Sequence, residues 1–337
     1  MKKNRIFKIF IAFLIALAGL YLAQRLLMPK YMHGVTDGAL TAEYYGERMD
    51  HDVLFIGDCE LYENISPITL WREYGINSYI RGSAQQLIWQ SYYLLEDSLR
   101  YEKPGVLVFN VLSLQYDKPQ KEAYNRMTID GMKWSSAKAG AIRASMTEEE
   151  SFISYVFPLL RYHSRWNELE EDDFTYLFKR DKVSHSGYYL RTEVRAPENL
   201  PDPRILGDYS FGDNAWKYMD MIREKCEEEG ITLILVKAPS LRPYWYDEWE
   251  EQVEEYAAKY DLPYYNFLET ADEYGLDMNT DTYDGGLHLN VYGAEKLSSY
   301  FGKILSEKYA VPDRRGDADC AAVWEEKCRR YDEAKGT

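Results

Sequence analysis

A short apolar run, Asp52-Val-Leu-Phe-Ile56, ends at Gly57 and leads into a helical segment, and that unit recurs along the chain. Ser78-Tyr-Ile80 ends at Arg81-Gly82-Ser83 ahead of a helical stretch over 84–100, and Gly105-Val-Leu-Val-Phe109 is a third run. A fourth, Ile231 to Val236, follows an amphipathic helix over Asp213 to Glu229 that Gly230 caps. A fifth, Tyr264 to Phe267, lies between helical segments over 246–260 and 290–309. Runs that are apolar at nearly every position suit strands covered on both faces. Strands alternating with helices then predict an α/β fold in three layers, with helices on both faces of a parallel sheet. Pro67 fits the first position of a helix that starts after Ser66, and Gly75 ends it.

Residues 113–212 break the rhythm. They show no strand pattern, several helix-like pieces such as Glu148 to Arg165, and loops such as Ser184-His-Ser-Gly187. An insertion of that length inside an α/β domain reads as a helical lid or binding subdomain. The expected organisation is an N-terminal segment 1–30, a polar connector 31–50, an α/β domain 51–310 with its insertion at 113–212, and a peripheral tail 311–337.

The first thirty residues follow different rules. Lys2, Lys3, Arg5 and Lys8 precede an apolar run from Ile9 to Ala23, which resumes at Leu26-Leu27-Met28. Crossing the hydrocarbon core takes about 20 residues of helix. The run reaches that length between Ile6 and Met28 if the flanking charges snorkel. The basic cluster predicts a cytoplasmic N-terminus and an extracytoplasmic body on a single-pass cell-membrane protein. A cleaved signal peptide is the rival. Its best cleavage match, Ala16-Leu17-Ala18, falls inside the apolar run rather than after it, so an uncleaved anchor is favoured.

The formal charge of −16 argues against a nucleic-acid binder, which needs a basic surface to displace counterions from phosphate. The chain is rich in Tyr and Trp; sugar stacking would use a few of these, while most read as core and lid. Cys59, Cys226, Cys320 and Cys328 show no CxxC spacing, so a zinc site is not expected, and nothing calls for another cofactor. Cys226 reads as a small core residue. Cys320 and Cys328, if they share one helix, sit roughly 12 Å apart, too far for a disulfide.

Open α/β sheets bind ligands at the carboxyl ends of their strands. There the chain places Gly57-Asp58-Cys59-Glu60, Gly82-Ser83, Asn110 and Lys237-Ala-Pro-Ser240, with Asp284-Gly-Gly-Leu-His288-Leu-Asn290 ahead of the last helix. Acyl transfer needs a nucleophile, a base that titrates near neutrality, and donors for an oxyanion. Cys59 is the candidate nucleophile. A helix N-terminus and a nearby imidazole would activate it, whereas Asp58 and Glu60 oppose a thiolate. The competing reading is a small apolar residue ending a buried strand. Of five histidines, His288 alone follows a Gly-rich acidic loop and directly precedes a helix, which suits a base. Asp284 would fix its tautomer, or is a turn residue. The backbone N–H groups of Cys59 and Gly82 and the Asn110 amide are candidate oxyanion donors; a tight turn and a satisfied strand-end amide are the plain alternatives. Lys237 and Ser240, and Arg161 and Arg165 one helical turn apart, could meet an anionic polymer. Ordinary loop polarity and a solvated helix face compete with that reading.

These blocks resemble those of SGNH/GDSL hydrolases. Gly57-Asp58-Cys59 is similar to the GDS block with Cys in place of Ser, Gly82 to the second-block glycine, and Asn110 stands where the third-block asparagine belongs. Asp284…His288-Leu-Asn with Gly293 resembles the closing acid–histidine block. The resemblance covers roughly 51–112 and 213–305. It is strongest to the membrane-anchored branch of D-alanyl-lipoteichoic-acid and alginate O-acetyltransferase accessory proteins. It implies a flavodoxin-like sheet and Cys-His-Asp acyl transfer on a cell-envelope glycan or teichoic-type polymer, beside a multipass membrane acyltransferase. An esterase of the same fold, or a catalytically silent scaffold that binds a polymer or partner, is the alternative. Three residues rather than two separate Asp284 from His288. Either Gly285-Gly286 absorbs the extra residue or Asp281 orients the histidine. Asn110 is neither preceded by Gly-x nor followed by Asp.

Overall fold

A computed structural model of the chain describes residues 2–28, 39–47, 49–178 and 182–336. Helix α1 (Lys2–Leu27) is long and apolar enough to cross a membrane, and none of its apolar window is buried by the rest of the protein. Of the expected connector, 31–38 and residue 48 lie outside the described residues. The described part is not a bare linker: helix α2 (Ala39–Glu43) and a 3-10 turn at Tyr44–Gly46 bury Leu40 and Tyr44.

The α/β body follows. Strand β1 (Val53–Gly57) leads into a four-residue helix α3 (Cys59–Tyr62) and then α4 (Pro67–Tyr74). Ser66 caps α4 and Gly75 ends it in the left-handed region at φ 69°, as the sequence pattern predicts. Next come β2 (Ser78–Gly82), α5 (Ile88–Ser98) and β3 (Val106–Asn110). The insertion is helical: α6 (Glu122–Ile129), α7 (Ser136–Ser145), α8 (Phe152–Val156), α9 (Leu159–Tyr162) and α10 (Glu171–Phe178). The chain returns through α11 (Asp213–Glu229), β4 (Thr232–Lys237), α12 (Asp247–Tyr260), β5 (Tyr264–Asn266) and α13 (Val291–Tyr309).

The five strands form one parallel sheet in the order β2-β1-β3-β4-β5. That is a doubly wound, flavodoxin-like order, and the strand order reverses between β1 and β3. Both faces are covered, and the alternation along β1 shows how. Leu54 and Ile56 enter one core with side chains of α5, α7, α11 and α12. Val53 and Phe55 enter the other, beneath α4 and α13. Ile129, Ala137 and Ile142 of the insertion belong to the first core, so its front half is built into the domain.

Over its described residues, 311–336, the expected tail 311–337 corrects an expectation. It is not peripheral: Asp317 caps a long helix, α14 (Ala318–Lys335), that closes the second core. Trp324 is fully buried, stacks on Trp71 with centroids 5.1 Å apart, and donates to Asn77 Oδ1 at 3.0 Å. The polar composition misled because only one stripe faces inward, at Cys320, Trp324, Lys327 and Tyr331. Cys320 and Cys328 lie on this helix and are both free thiols.

Candidate active site

Asp58 makes the turn from β1 into α3, and its side chain accepts from the Glu60 N–H at 3.1 Å. Cys59 is the first residue of α3 and is half-buried. The turn is tight on both sides. A Cβ at Gly57 would come within 3.0 Å of Asn110 Cβ, and one at Gly82 within 3.0 Å of the Tyr62 ring. Gly57 and Gly82 face each other in register at the ends of β1 and β2.

The loop before α13 carries the histidine to this edge. Asp284 Oδ2 lies 2.8 Å from His288 Nδ1, and Asp284 Oδ1 accepts from the backbone N–H of His288 at 2.9 Å and of Leu287 at 3.2 Å. The extra residue between them is taken up by Gly285 and Gly286, both in the left-handed region at φ 82° and 92°. Asp281 is not the orienting acid. It binds Lys296 Nζ at 2.6 Å and the Asp277 N–H at 2.8 Å, bracing the loop from behind.

With Nδ1 held, Nε2 is the outer nitrogen of His288. It is buried with no hydrogen-bond partner among the described residues, and the Cys59 sulfur lies near enough for its charge to act on the ring. Burial works against a charged imidazole here, but the Cys59 sulfur and Glu63, with the Asp284 hydrogen bond, outweigh it and raise His288 well above the ordinary histidine range. Burial also pushes the Cys59 thiol up. His288 pulls it back down, while Asp58 and Glu63 add to the rise.

Glu63, Asn64 and Tyr283 belong to the site although nothing in the sequence singled them out. Glu63 Oε2 lies 3.4 Å from His288 Nδ1 and accepts from the Tyr283 hydroxyl. The Tyr283 ring stacks on the His288 ring with centroids 6.0 Å apart. Asn64 Oδ1 accepts from the Leu289 N–H at 2.8 Å, pinning the backbone just after the histidine. The available signal for Glu63 was its spacing of four residues from Cys59, one helical turn.

Five residues expected to contact an oxyanion or a substrate are otherwise engaged. Asn110 Nδ2 donates to Asp58 Oδ1 at 2.9 Å and Glu60 Oε2 at 3.1 Å, so both amide protons are committed and none remains for an oxyanion. Lys237 is not a loop cation open to substrate. It is fully buried, with Nζ 3.0 Å from Glu60 Oε1, 2.6 Å from the Ala238 carbonyl and 3.0 Å from Ser240 Oγ. Ser240 in turn donates to Glu60. Arg161 pairs with Glu122, and Arg165 with the Leu27 carbonyl and Asp173, so both are held within the insertion and its contact with α1.

Two carboxylates, Asp58 and Glu60, thus share the Asn110 amide, and Lys237 pairs with Glu60. Burial, and then the charge of Glu60, push Asp58 up to about 7, while the Asn110 hydrogen bond and Lys237 oppose the rise. Asp58→Asn keeps an oxygen for the Glu60 N–H and removes a charge that holds the thiol up. We expect faster alkylation of Cys59 by iodoacetamide at neutral pH, about tenfold for each unit by which the thiol falls. The sign of the stability effect follows from the same shift. Between 3.8 and about 7 the folded protein holds a proton that the unfolded chain releases, so stability falls as pH rises through that window. Urea titrations of Asp58→Asn should show that slope flattened, and an unchanged slope would mean that Asp58 is ionised throughout.

The fold and site define an α/β protein with a thiol, an imidazole and carboxylates gathered at the carboxyl end of its first strand. No protein-family model and no curated protein matches the chain. Among solved structures, one described as a "putative acylhydrolase" from Bacteroides fragilis NCTC 9343 is similar over 79% of this chain and 94% of its own, at 12% identity and a TM-score of 0.39. Likeness at that level carries no argument about chemistry, and the α/β assignment stands on the strand order above.

Proposed function

We propose that the protein is an acyl-transfer enzyme of the SGNH type, with Cys59 as nucleophile, His288 as base and Asp284 as the group that orients it. The observation that carries this reading is the Asp284–His288 contact at 2.8 Å on Nδ1, which leaves Nε2 as the nitrogen available to the Cys59 thiol. In the first half-reaction the Cys59 sulfur attacks an acyl carbonyl as Nε2 takes the thiol proton. The C–O bond of the donor then breaks, and His288 returns the proton to the leaving oxygen. A thioester remains on Cys59. In the second half-reaction an acceptor hydroxyl loses its proton to His288 and attacks the thioester, and Cys59 leaves to recover the proton. The N–H of Cys59 and, beside it, that of Gly82 are the candidate oxyanion donors. With α1 as an uncleaved anchor and the body outside the cytoplasm, the acceptor is a cell-envelope glycan or teichoic-type polymer, and a multipass membrane acyltransferase supplies the acyl group.

A second reading, a catalytically silent scaffold that binds such a polymer or partner, draws on one observation: Asp58 and Glu63 both oppose a Cys59 thiolate. Intact-mass spectrometry of the full chain in detergent, after exposure to an activated acyl ester, separates the two. A mass gain of one acyl group, absent from Cys59→Ala and strongly slowed in His288→Ala, is expected. No adduct on the wild type, or one that persists in Cys59→Ala, would overturn the catalytic reading. Turnover of soluble esters without an acceptor would assign an esterase instead of a transferase.

A further inference from the structure

The back half of the insertion exposes large apolar side chains that no part of the described protein covers. Ile153, Phe157, Leu160, Trp166, Phe174 and Phe178 are between 48% and 89% exposed and fall within 26 residues of chain. Scattered exposed apolar residues are ordinary, but a concentration of this kind marks a surface with a partner.

Its position says which partner. Helix α1 is exposed from Lys3 to Leu22 and becomes half-buried from Ala23 onward. The elements that cover that end are α9, the 3-10 turn over His163–Asn167, and α10. Arg165 Nη1 donates to the Leu27 carbonyl at 2.8 Å, so the insertion is bonded to the last turn of α1. A helix rises about 1.5 Å per residue, so Ile6 to Arg25 spans about 30 Å, the thickness of the hydrocarbon core. The turn that Arg165 grips therefore sits at the far headgroup boundary. Aromatic rings are at home at that depth.

We infer that α8 to α10 form a platform that inserts its apolar side chains into the bilayer interface next to the anchor, giving the body a second attachment to the same lipid surface. This rests on the anchor reading of α1. The platform carries exposed carboxylates at Glu168, Glu171 and Asp172 beside its apolar residues, so apolar insertion rather than charge holds it, and its docking is insensitive to salt. A single helix would leave the body free to swivel around its own axis. A second contact fixes which face of the domain looks along the membrane.

The chain has no Trp in α1, and Trp166 is the one Trp in the platform, so native fluorescence reads the platform directly. The experiment uses the full chain reconstituted in phosphatidylcholine vesicles with and without bromine on the acyl chains, next to Trp166→Phe. Alkaline carbonate extraction of the same vesicles reports on the anchor independently. We expect the protein to resist extraction, and bromolipid to remove most of the emission that distinguishes wild type from Trp166→Phe, in low and high salt alike. The double variant Phe174→Ser/Phe178→Ser should restore much of that emission. A protein that resists extraction with Trp166 unquenched would overturn the platform and leave the patch to a membrane-protein partner. A protein that extracts freely would overturn the anchor reading and the platform with it.

Discussion

Replacing Lys237 with methionine is expected to destabilise the protein by about 3–5 kcal/mol, the usual consequence of removing one partner of a buried ion pair. Lys237 and Glu60 are both essentially without solvent contact, with Nζ 3.0 Å and 3.1 Å from the two carboxylate oxygens. Methionine fills much of the same space but leaves Glu60 next to Asp58 without a facing cation. The loss should appear as a lower urea midpoint with an unchanged m-value, since the exposed area on unfolding hardly changes. Lys237→Met/Glu60→Gln should be milder than Lys237→Met alone, as it removes the stranded charge as well. A single variant that costs less than about 1 kcal/mol, as an exposed pair would, or a double variant no better than the single, would show that Lys237 is hydrated and its charge is not what holds this edge together.

Asp284→Asn is expected to slow acylation of Cys59 on the order of 10²–10⁴-fold, within the range that a positioned general base contributes. An asparagine can turn its amide protons towards Nδ1, which favours the tautomer with the hydrogen on Nε2 and blocks that nitrogen as a base. Glu63→Gln should cost less, because Glu63 stands at 3.4 Å from Nδ1 where Asp284 stands at 2.8 Å. The pH profiles carry the sign. Carboxylates that stabilise imidazolium raise His288, so the wild-type rate should keep climbing above the ordinary histidine range as the Cys59–His288 pair gives up its proton. Each carboxylate removed should move that climb to lower pH, even as the Asp284→Asn plateau drops. Stopped-flow acylation with an activated ester measures both. Equal losses in the two variants, or a climb that does not move, would show that neither acid sets the histidine.

Much of the architecture could be read from the chain itself. The short apolar runs at 52–56, 105–109 and 231–236 imply strands buried on both sides, and buried strands joined by helices leave few arrangements other than a parallel sheet in three layers. The Cys59 turn and the Asp284–His288 loop were legible for the same kind of reason. Each is a local motif whose partners lie within five residues, so chain connectivity alone brings them together. The extra residue between Asp284 and His288 left Asp281 as a rival until the structure put both glycines at positive φ and paired Asp281 with Lys296.

Other features depend on pairs far apart in sequence. Lys237 and Glu60 are 177 residues apart, and a lysine at a strand end looks like loop polarity until the sheet sets β4 two places from β1. Asn110 looked available until β3 was laid beside β1, where Asp58 and Glu60 take both its protons. Trp324 meets Trp71 and Asn77 only because α14 folds back over the second core, so a polar stretch that reads as a tail became part of the interior. The sequence by itself determined the strands, the helices and the two local motifs, because short-range sterics and hydrophobic period set them. Which polar groups are buried together, and therefore which charges are free to do chemistry, was decided by the tertiary structure, because burial and the strength of a Coulomb interaction are properties of the assembled space and not of any segment.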